Sequence, residues 1–123
     1  SVLPALMRAQ KVQQRAARAG FDYDTCDQAM ADLKSEVSEL EEALASGNQQ
    51  HVEEELGDLI FSALNIARFS KLDGEDSLTK STQKFIHRFA EVERLAGEHN
   101  IDMTKADLEQ LNQLWYQAKQ ICQ

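Results

Sequence analysis

Residues 35–61 read "SEVSELEEALASGNQQHVEEELGDLIF" and place eight carboxylates in 27 positions, with Glu36 and Glu39, and then Glu55 and Asp58, three apart. Apolar residues run through the same region at helical intervals. From Met30 through Leu33, Val37, Leu40 and Leu44 the steps alternate between three and four, which is the period of one helix face. The triplet "SGN" (46–48) interrupts that pattern. A second stripe follows at Val52, Leu56, Leu59, Ile60, Ala63, Ile66 and Ala67. The spacing predicts helices over 28–45 and 49–71. Their connection is short, so the two fold back as an antiparallel hairpin.

The pattern continues outward from that hairpin. Pro4 suits the first turn of a helix, and "ALMRAQKVQQRAARA" follows until Gly20 ends it. "FDYDTCD" (21–27) reads as a loop, with Asp27 the expected N-cap of the second helix. "LDGED" (72–76) breaks the chain before a helix over 77–98. "HNIDM" (99–103) then leads to Thr104 as the expected cap of a fifth helix, through Leu108, Leu111, Leu114 and Trp115. Strand alternation, internal repeats and low-complexity tracts are absent. The fold class is all-α, an antiparallel bundle of about five helices.

Composition narrows the function. A chain of 123 residues with 42% hydrophobic content is expected to form one domain with a modest core. Its net charge of −8, from 21 acids against 13 bases, repels a polyanion and argues against nucleic acid as partner. A small phosphorylated ligand stays compatible with that field if metal ions bridge it to the acids. No run approaches the roughly 18 apolar residues of a membrane span. Cys26 and Cys122 lie far apart without metal-ligand spacing and read as reduced thiols of a cytoplasmic protein.

The acids repay closer placement. At about 100° per residue, Glu36 borders the apolar arc of the second helix and Glu39 lies about 60° further round. The same construction puts Glu55 at the edge of the next stripe and Asp58 about 60° beyond. Antiparallel packing then brings the four carboxylates together at a half-buried seam. Two like charges about 6 Å apart repel by roughly 3 kcal/mol at an effective dielectric of 20. Such groups take up protons or collect cations, and oxygen ligands without His or Cys favour magnesium or manganese over zinc. Spacing alone leaves a second reading standing, a solvated acidic flank on an amphipathic hairpin. A di-iron carboxylate bundle is excluded, because no His follows a Glu by three.

The pair "SEVSE" and "EELGD" resembles the E-E-x-x-E…E-x-x-D signature of the all-α nucleoside triphosphate pyrophosphohydrolases. "LPALMRAQKVQ", "GFDYD", "EEELGDLIFSALNIAR", "KFIHRFAEVER" and "LWYQAK" extend the likeness from Leu3 to Lys119, and together they are similar to the C-terminal domain of the MazG family. The resemblance implies broad hydrolysis of NTPs and dNTPs to the monophosphate and pyrophosphate. It also implies Mg²⁺, with Mn²⁺ as a substitute, an intertwined homodimer, and residues 1–123 as a single domain from a longer chain with an N-terminal domain. By position, the metal ligands and catalytic carboxylates are Glu36, Glu39, Glu55 and Asp58, with Glu54 in the same site. Phosphate and nucleotide contacts fall on Lys84, Arg88, Trp115 and Lys119. Two departures touch rate and preference rather than ligation: Ser35 replaces the first Glu of the E-E pair, and His51 stands where a relative carries Lys.

Other residues admit more than one role. Lys80, Lys84 and Arg88 form a basic stripe that, on spacing alone, reads as a solvated face before it reads as a clamp for phosphate oxygens. Trp115 serves as a packing anchor or a stacking platform. Asn65, near the Asp58 side of its helix, is a candidate for a base or sugar contact, or an exposed polar filler. Lys11, paired with Arg15 at i,i+4, is a weaker candidate for the nucleotide. Two rival functions remain: a relative selective for one nucleotide such as dUTP or dCTP, and a non-enzymatic helical dimerisation module.

Overall fold

The computed structural model describes residues 3–123, which form five helices: α1 (Ala5–Arg18), α2 (Cys26–Ser46), α3 (Gln49–Phe69), α4 (Gly74–Glu98) and α5 (Leu108–Ile121). No strand occurs among the described residues. The all-α expectation holds, and the helix ends fall within a few residues of the predicted ones. Two compact units divide the chain between Ser77 and Leu78, so the first turn of α4 belongs with α1, α2 and α3.

Capping chemistry sets the boundaries. Thr25, not Asp27, caps α2: its Oγ1 accepts the Gln28 backbone N–H at 3.3 Å, and Asp27 lies inside the first turn. Asp107, not Thr104, caps α5, and Asp107 and Gln110 bond each other's backbone in a capping box. Thr104 instead donates its hydroxyl to Asp102 at 2.6 Å. Gly47, at φ 72°, closes α2 in the left-handed conformation that glycine adopts without steric cost, and Asn48 caps α3 immediately afterwards. Two residues therefore suffice to reverse the chain. Asp32 meets Ser62 while Glu39, seven residues on, meets Glu55, so α2 and α3 run antiparallel as expected.

The face that α2 turns to α3 differs from the expected one. Ala29 and Ala43 are fully buried on α2, and Glu55, Ser62, Leu64 and Asn65 are the buried residues of α3. The predicted stripes are divided: Leu33, Leu40, Val52, Leu59, Ile66 and Ala67 are half-buried, whereas Met30 at 37%, Val37 at 42%, Leu44 at 61%, Leu56 at 46% and Ile60 at 47% are exposed. The most buried positions of α2 are thus the small residues, and the large apolar side chains beside them are only partly covered.

Helix α1 joins the hairpin through amides. Gln13 Nε2 donates to the Phe61 carbonyl at 2.7 Å. Gln10 grips the α3–α4 turn, accepting the Gly74 N–H at 2.7 Å and donating to Asp73 at 2.9 Å. The second unit is apolar in its interior: Val92, Leu95 and Ala96 of α4 pack on Leu114 and Ala118 of α5, with Ile101, Met103 and Trp115 against them.

A Cβ at Gly74 would run into buried Leu64 and crowd Gln10, whereas one at Gly97 meets nothing within 4 Å. Gly74→Ala is expected to destabilise the protein by about 1–3 kcal/mol through overpacking. Gly97→Ala should stabilise it by about 0.5–1 kcal/mol through helix propensity. Urea denaturation midpoints of the two variants check the opposite signs.

Candidate metal centre

Two groups of carboxylates overlap on the α2–α3 hairpin. Glu36, Glu39 and Glu55 each offer an oxygen within 4.8 Å of the others, and so do Glu54, Glu55 and Asp58. Glu55 belongs to both groups and links them into one cluster. All four expected metal ligands, with Glu54, therefore converge on one place. On α2 the i,i+3 step carries Glu36 and Glu39 to one side of the helix, and on α3 the same step joins Glu55 to Asp58.

The electrostatics of the cluster are unfavourable without a counter-charge. Glu55 is 9% exposed and Glu36 half-buried. The Oε2 atom of each is buried without a hydrogen-bond partner. Burial, then Glu39, then the charges of Asp58 and Asp32 push the Glu36 carboxyl up to about 7. Burial first, with Glu39 and Asp58 behind it, likewise raises Glu55, against a smaller pull from His51. His51 reaches Glu55 Oε1 at 3.4 Å, so this departure from the family pattern contacts a cluster carboxylate directly. Orphaned, dehydrated carboxylate oxygens in an all-oxygen donor set fit a hard divalent cation.

A polar layer lies behind the cluster. Asp32, one turn before Glu36, accepts hydrogen bonds from the Tyr23 hydroxyl at 2.7 Å and from Ser62 Oγ at 3.3 Å. Donation to that carboxylate is the leading cause that pushes the Tyr23 hydroxyl up to about 12. Asp22, one residue earlier, makes paired contacts of 2.6 and 2.7 Å with Arg68, and the guanidinium holds its carboxyl below the ordinary range. Sequence reading missed Asp32, although its i,i+4 relation to Glu36 was a usable signal.

The expected nucleotide contacts separate by position. Asn65 is 8% exposed and accepts a hydrogen bond from Arg68 Nη2 at 3.0 Å, which removes the exposed-filler reading. With Gln13, Phe61 and Arg68 it lines a cavity of about 390 Å³. Lys11 lines a separate hollow beside Lys71 and Arg68. Lys84, Arg88, Trp115 and Lys119 belong to the second unit. There the Arg88 guanidinium stands 5.9 Å from the Trp115 ring, and Trp115 lies 5.5 Å from Phe85. Lys84 and Lys119 are exposed. Trp115 packs on the α4–α5 core, so the anchoring role is realised.

A helical hairpin that gathers acidic side chains from both arms into one partly buried cluster defines an all-α protein with an interhelical carboxylate cluster. The chain belongs to the MazG nucleotide pyrophosphohydrolase domain family, whose profile matches residues 24–92. It is 42% identical over 119 residues to the nucleoside triphosphate pyrophosphohydrolase of Escherichia coli K12, covering 95% of this chain and 45% of that protein. It is 35% identical over 118 residues to the nucleoside triphosphate pyrophosphohydrolase/pyrophosphatase MazG of Thermotoga maritima, again 96% of this chain against 45% of the relative. The chain thus spans a little under half the length of these two relatives. A shorter match, 34% over 73 residues, joins it to the protein YabN of Bacillus subtilis.

The raised carboxyls make the metal-free protein pH-sensitive. Between the ordinary 4.5 and about 7, folded Glu36 retains a proton that the unfolded chain has lost. Stability should therefore fall as pH rises through that window. The Asp22–Arg68 pair acts oppositely, losing its contribution only as pH falls below 3.8. Thermal melts in EDTA should show a declining midpoint from pH 5 to pH 7. Added Mg²⁺ should flatten the slope.

Proposed function

We infer that this domain hydrolyses nucleoside triphosphates, ribo- and deoxyribo- alike, to the monophosphate and pyrophosphate. Mg²⁺ is the resident cation and Mn²⁺ its substitute. One observation carries the reading: two carboxylate groups share Glu55 while oxygens of Glu36 and Glu55 are buried without donors. A purely structural helical module gives no reason for that burial, because unpaired buried acceptors only destabilise it. Membership of the pyrophosphohydrolase family supports the same reaction, as do the names of the two longer relatives.

Glu36, Glu39, Glu55 and Asp58 hold the cation. When bound, it supplies charge neutralisation for the triphosphate and a more acidic attacking water. Glu54, exposed and within 4.8 Å of Glu55 and Asp58 but outside the four proposed ligands, is left to accept that water's proton. Lys84, Arg88 and Lys119 supply positive charge for phosphate oxygens. His51, through Glu55, bears on the strength of ligation and hence on rate.

The subunits are proposed to pair through the apolar positions that the first unit leaves open, Met30, Val37, Leu44, Leu56 and Ile60. Single exposed apolar residues are ordinary, but a stripe at helical spacing along both arms of a hairpin marks an association surface. Sedimentation should show a dimer at micromolar concentration. Leu56→Glu should shift it toward monomer, and an unchanged monomer in the wild type would reject the pairing.

Glu39→Gln and Asp58→Asn are each expected to lower pyrophosphate release at least about 100-fold while the far-ultraviolet circular dichroism stays helical. EDTA should abolish wild-type turnover and Mg²⁺ restore it. Full activity in either variant would remove the ligand assignment. The same assay across NTPs and dNTPs separates broad use from selectivity for one nucleotide such as dUTP or dCTP.

A further inference from the structure

We propose that Asp32 is a positioning residue for the cation centre: it stands outside the ligand set, and through its hydrogen bond with Ser62 it fixes the register in which Glu36 meets Asp58 and Glu39 meets Glu55. The inference rests on the cation reading of the cluster and adds a residue on which the donors depend.

The register is visible in the spacing of contacts between α2 and α3. Asp32 meets Ser62, and Glu39 meets Glu55. Between them the charge of Asp58 reaches Glu36. Four and then three residues forward from Asp32 on α2 come Glu36 and Glu39. The same steps back from Ser62 on α3 give Asp58 and Glu55. These are the intervals of one helix face, so the three pairs are successive rungs of one antiparallel ladder. Two rungs set carboxylate against carboxylate and push the arms apart. The Asp32–Ser62 rung is a hydrogen bond and holds them together.

Asp32 is itself held. Its Oδ2 accepts the Tyr23 hydroxyl at 2.7 Å as well as Ser62 Oγ at 3.3 Å. The loop after α1 therefore fixes the carboxylate that α3 meets. Ser62 is 3% exposed. A serine inside a helix commonly returns its hydroxyl to the carbonyl four residues back, but this one crosses to the partner helix. A charged acceptor holds two donors more strongly than a neutral one, which suits a register under repulsion. Among the described residues, the carboxylate groups with oxygens within 4.8 Å of one another are Glu36, Glu39 and Glu55, and Glu54, Glu55 and Asp58. Asp32 belongs to neither, so its place is behind the donors. Outer partners of this kind orient metal ligands, and their loss typically lowers metal affinity about 10- to 100-fold.

The test titrates the protein with Mn²⁺, follows the free ion by electron paramagnetic resonance, and records melting in EDTA alongside. Asp32→Ala should weaken Mn²⁺ binding about 10- to 100-fold. Asp32→Asn, which keeps an oxygen acceptor for both donors, should recover most of that loss. Ser62→Ala leaves every carboxylate in place and removes only the bond across the hairpin. It should weaken binding about tenfold, and it decides the matter if Asp32→Ala does not fold. Lower melting temperatures with unchanged Mn²⁺ affinity in the folded variants would reveal a structural tie only and overturn the proposal. So would an Asp32→Asn variant as weak as Asp32→Ala, since charge alone would then account for the loss. A wild type that binds no Mn²⁺ removes the cation reading and the positioning role together. A wild type that binds it, beside variants that bind it equally well, removes the positioning role alone.

Discussion

Repulsion between like charges on facing helices is the constraint around which the first unit is organised. Glu36 and Glu39 on one arm, and Glu54, Glu55 and Asp58 on the other, are brought within 4.8 Å in overlapping groups. Such pairs cost on the order of 3 kcal/mol each at an intermediate dielectric. The hairpin nevertheless holds them because its reversal takes two residues, Gly47 and Asn48, and because Ser62 of α3 bonds Asp32 of α2 across it. The strain is electrostatic; protons relieve it at low pH, and a bound cation would do so at neutral pH. The folded hairpin is in this way already organised for a counter-ion.

The two units differ in how they are held. Val92, Leu95, Ala96, Leu114 and Ala118 give the second unit an ordinary apolar centre. In the first, the buried set is largely polar, with Gln13, Glu55, Ser62 and Asn65 joining Leu64 and two alanines. The surrounding contacts are specific hydrogen bonds and ion pairs: Tyr23 to Asp32, Asp22 to Arg68, and Gln10 to the start of α4. Polar interiors of this kind specify geometry when satisfied and are expensive when not. Of the atoms left unsatisfied in the first unit, those of Glu36 and Glu55 belong to the carboxylate cluster and those of Gln13 and Arg68 to residues lining the cavity, with Glu75 Oε2 outside both.

Legibility followed the range of the interaction concerned. Helix number and approximate ends were readable because periodicity and breakers act locally. Caps were readable only to within three residues, since Thr25 and Asp27, or Thr104 and Asp107, are chemically near-equivalent. The apolar stripes were found correctly, and each divides between half-buried positions such as Leu33, Leu40, Leu59 and Ile66 and exposed ones. Met30, Leu44 and Leu56 are exposed while Ala29 and Ala43 take the buried positions of α2.

The sequence by itself determined the all-α class, the hairpin and the grouping of Glu36, Glu39, Glu55 and Asp58, because a helix of known period converts spacing directly into direction. Tertiary structure decided the rest. It linked the two carboxylate groups through Glu55, set Asp32 behind Glu36, and turned Gln13 toward Phe61 with its oxygen unpaired. These depend on which faces of different helices meet and how deeply each atom is removed from water, and no periodicity along one chain encodes that.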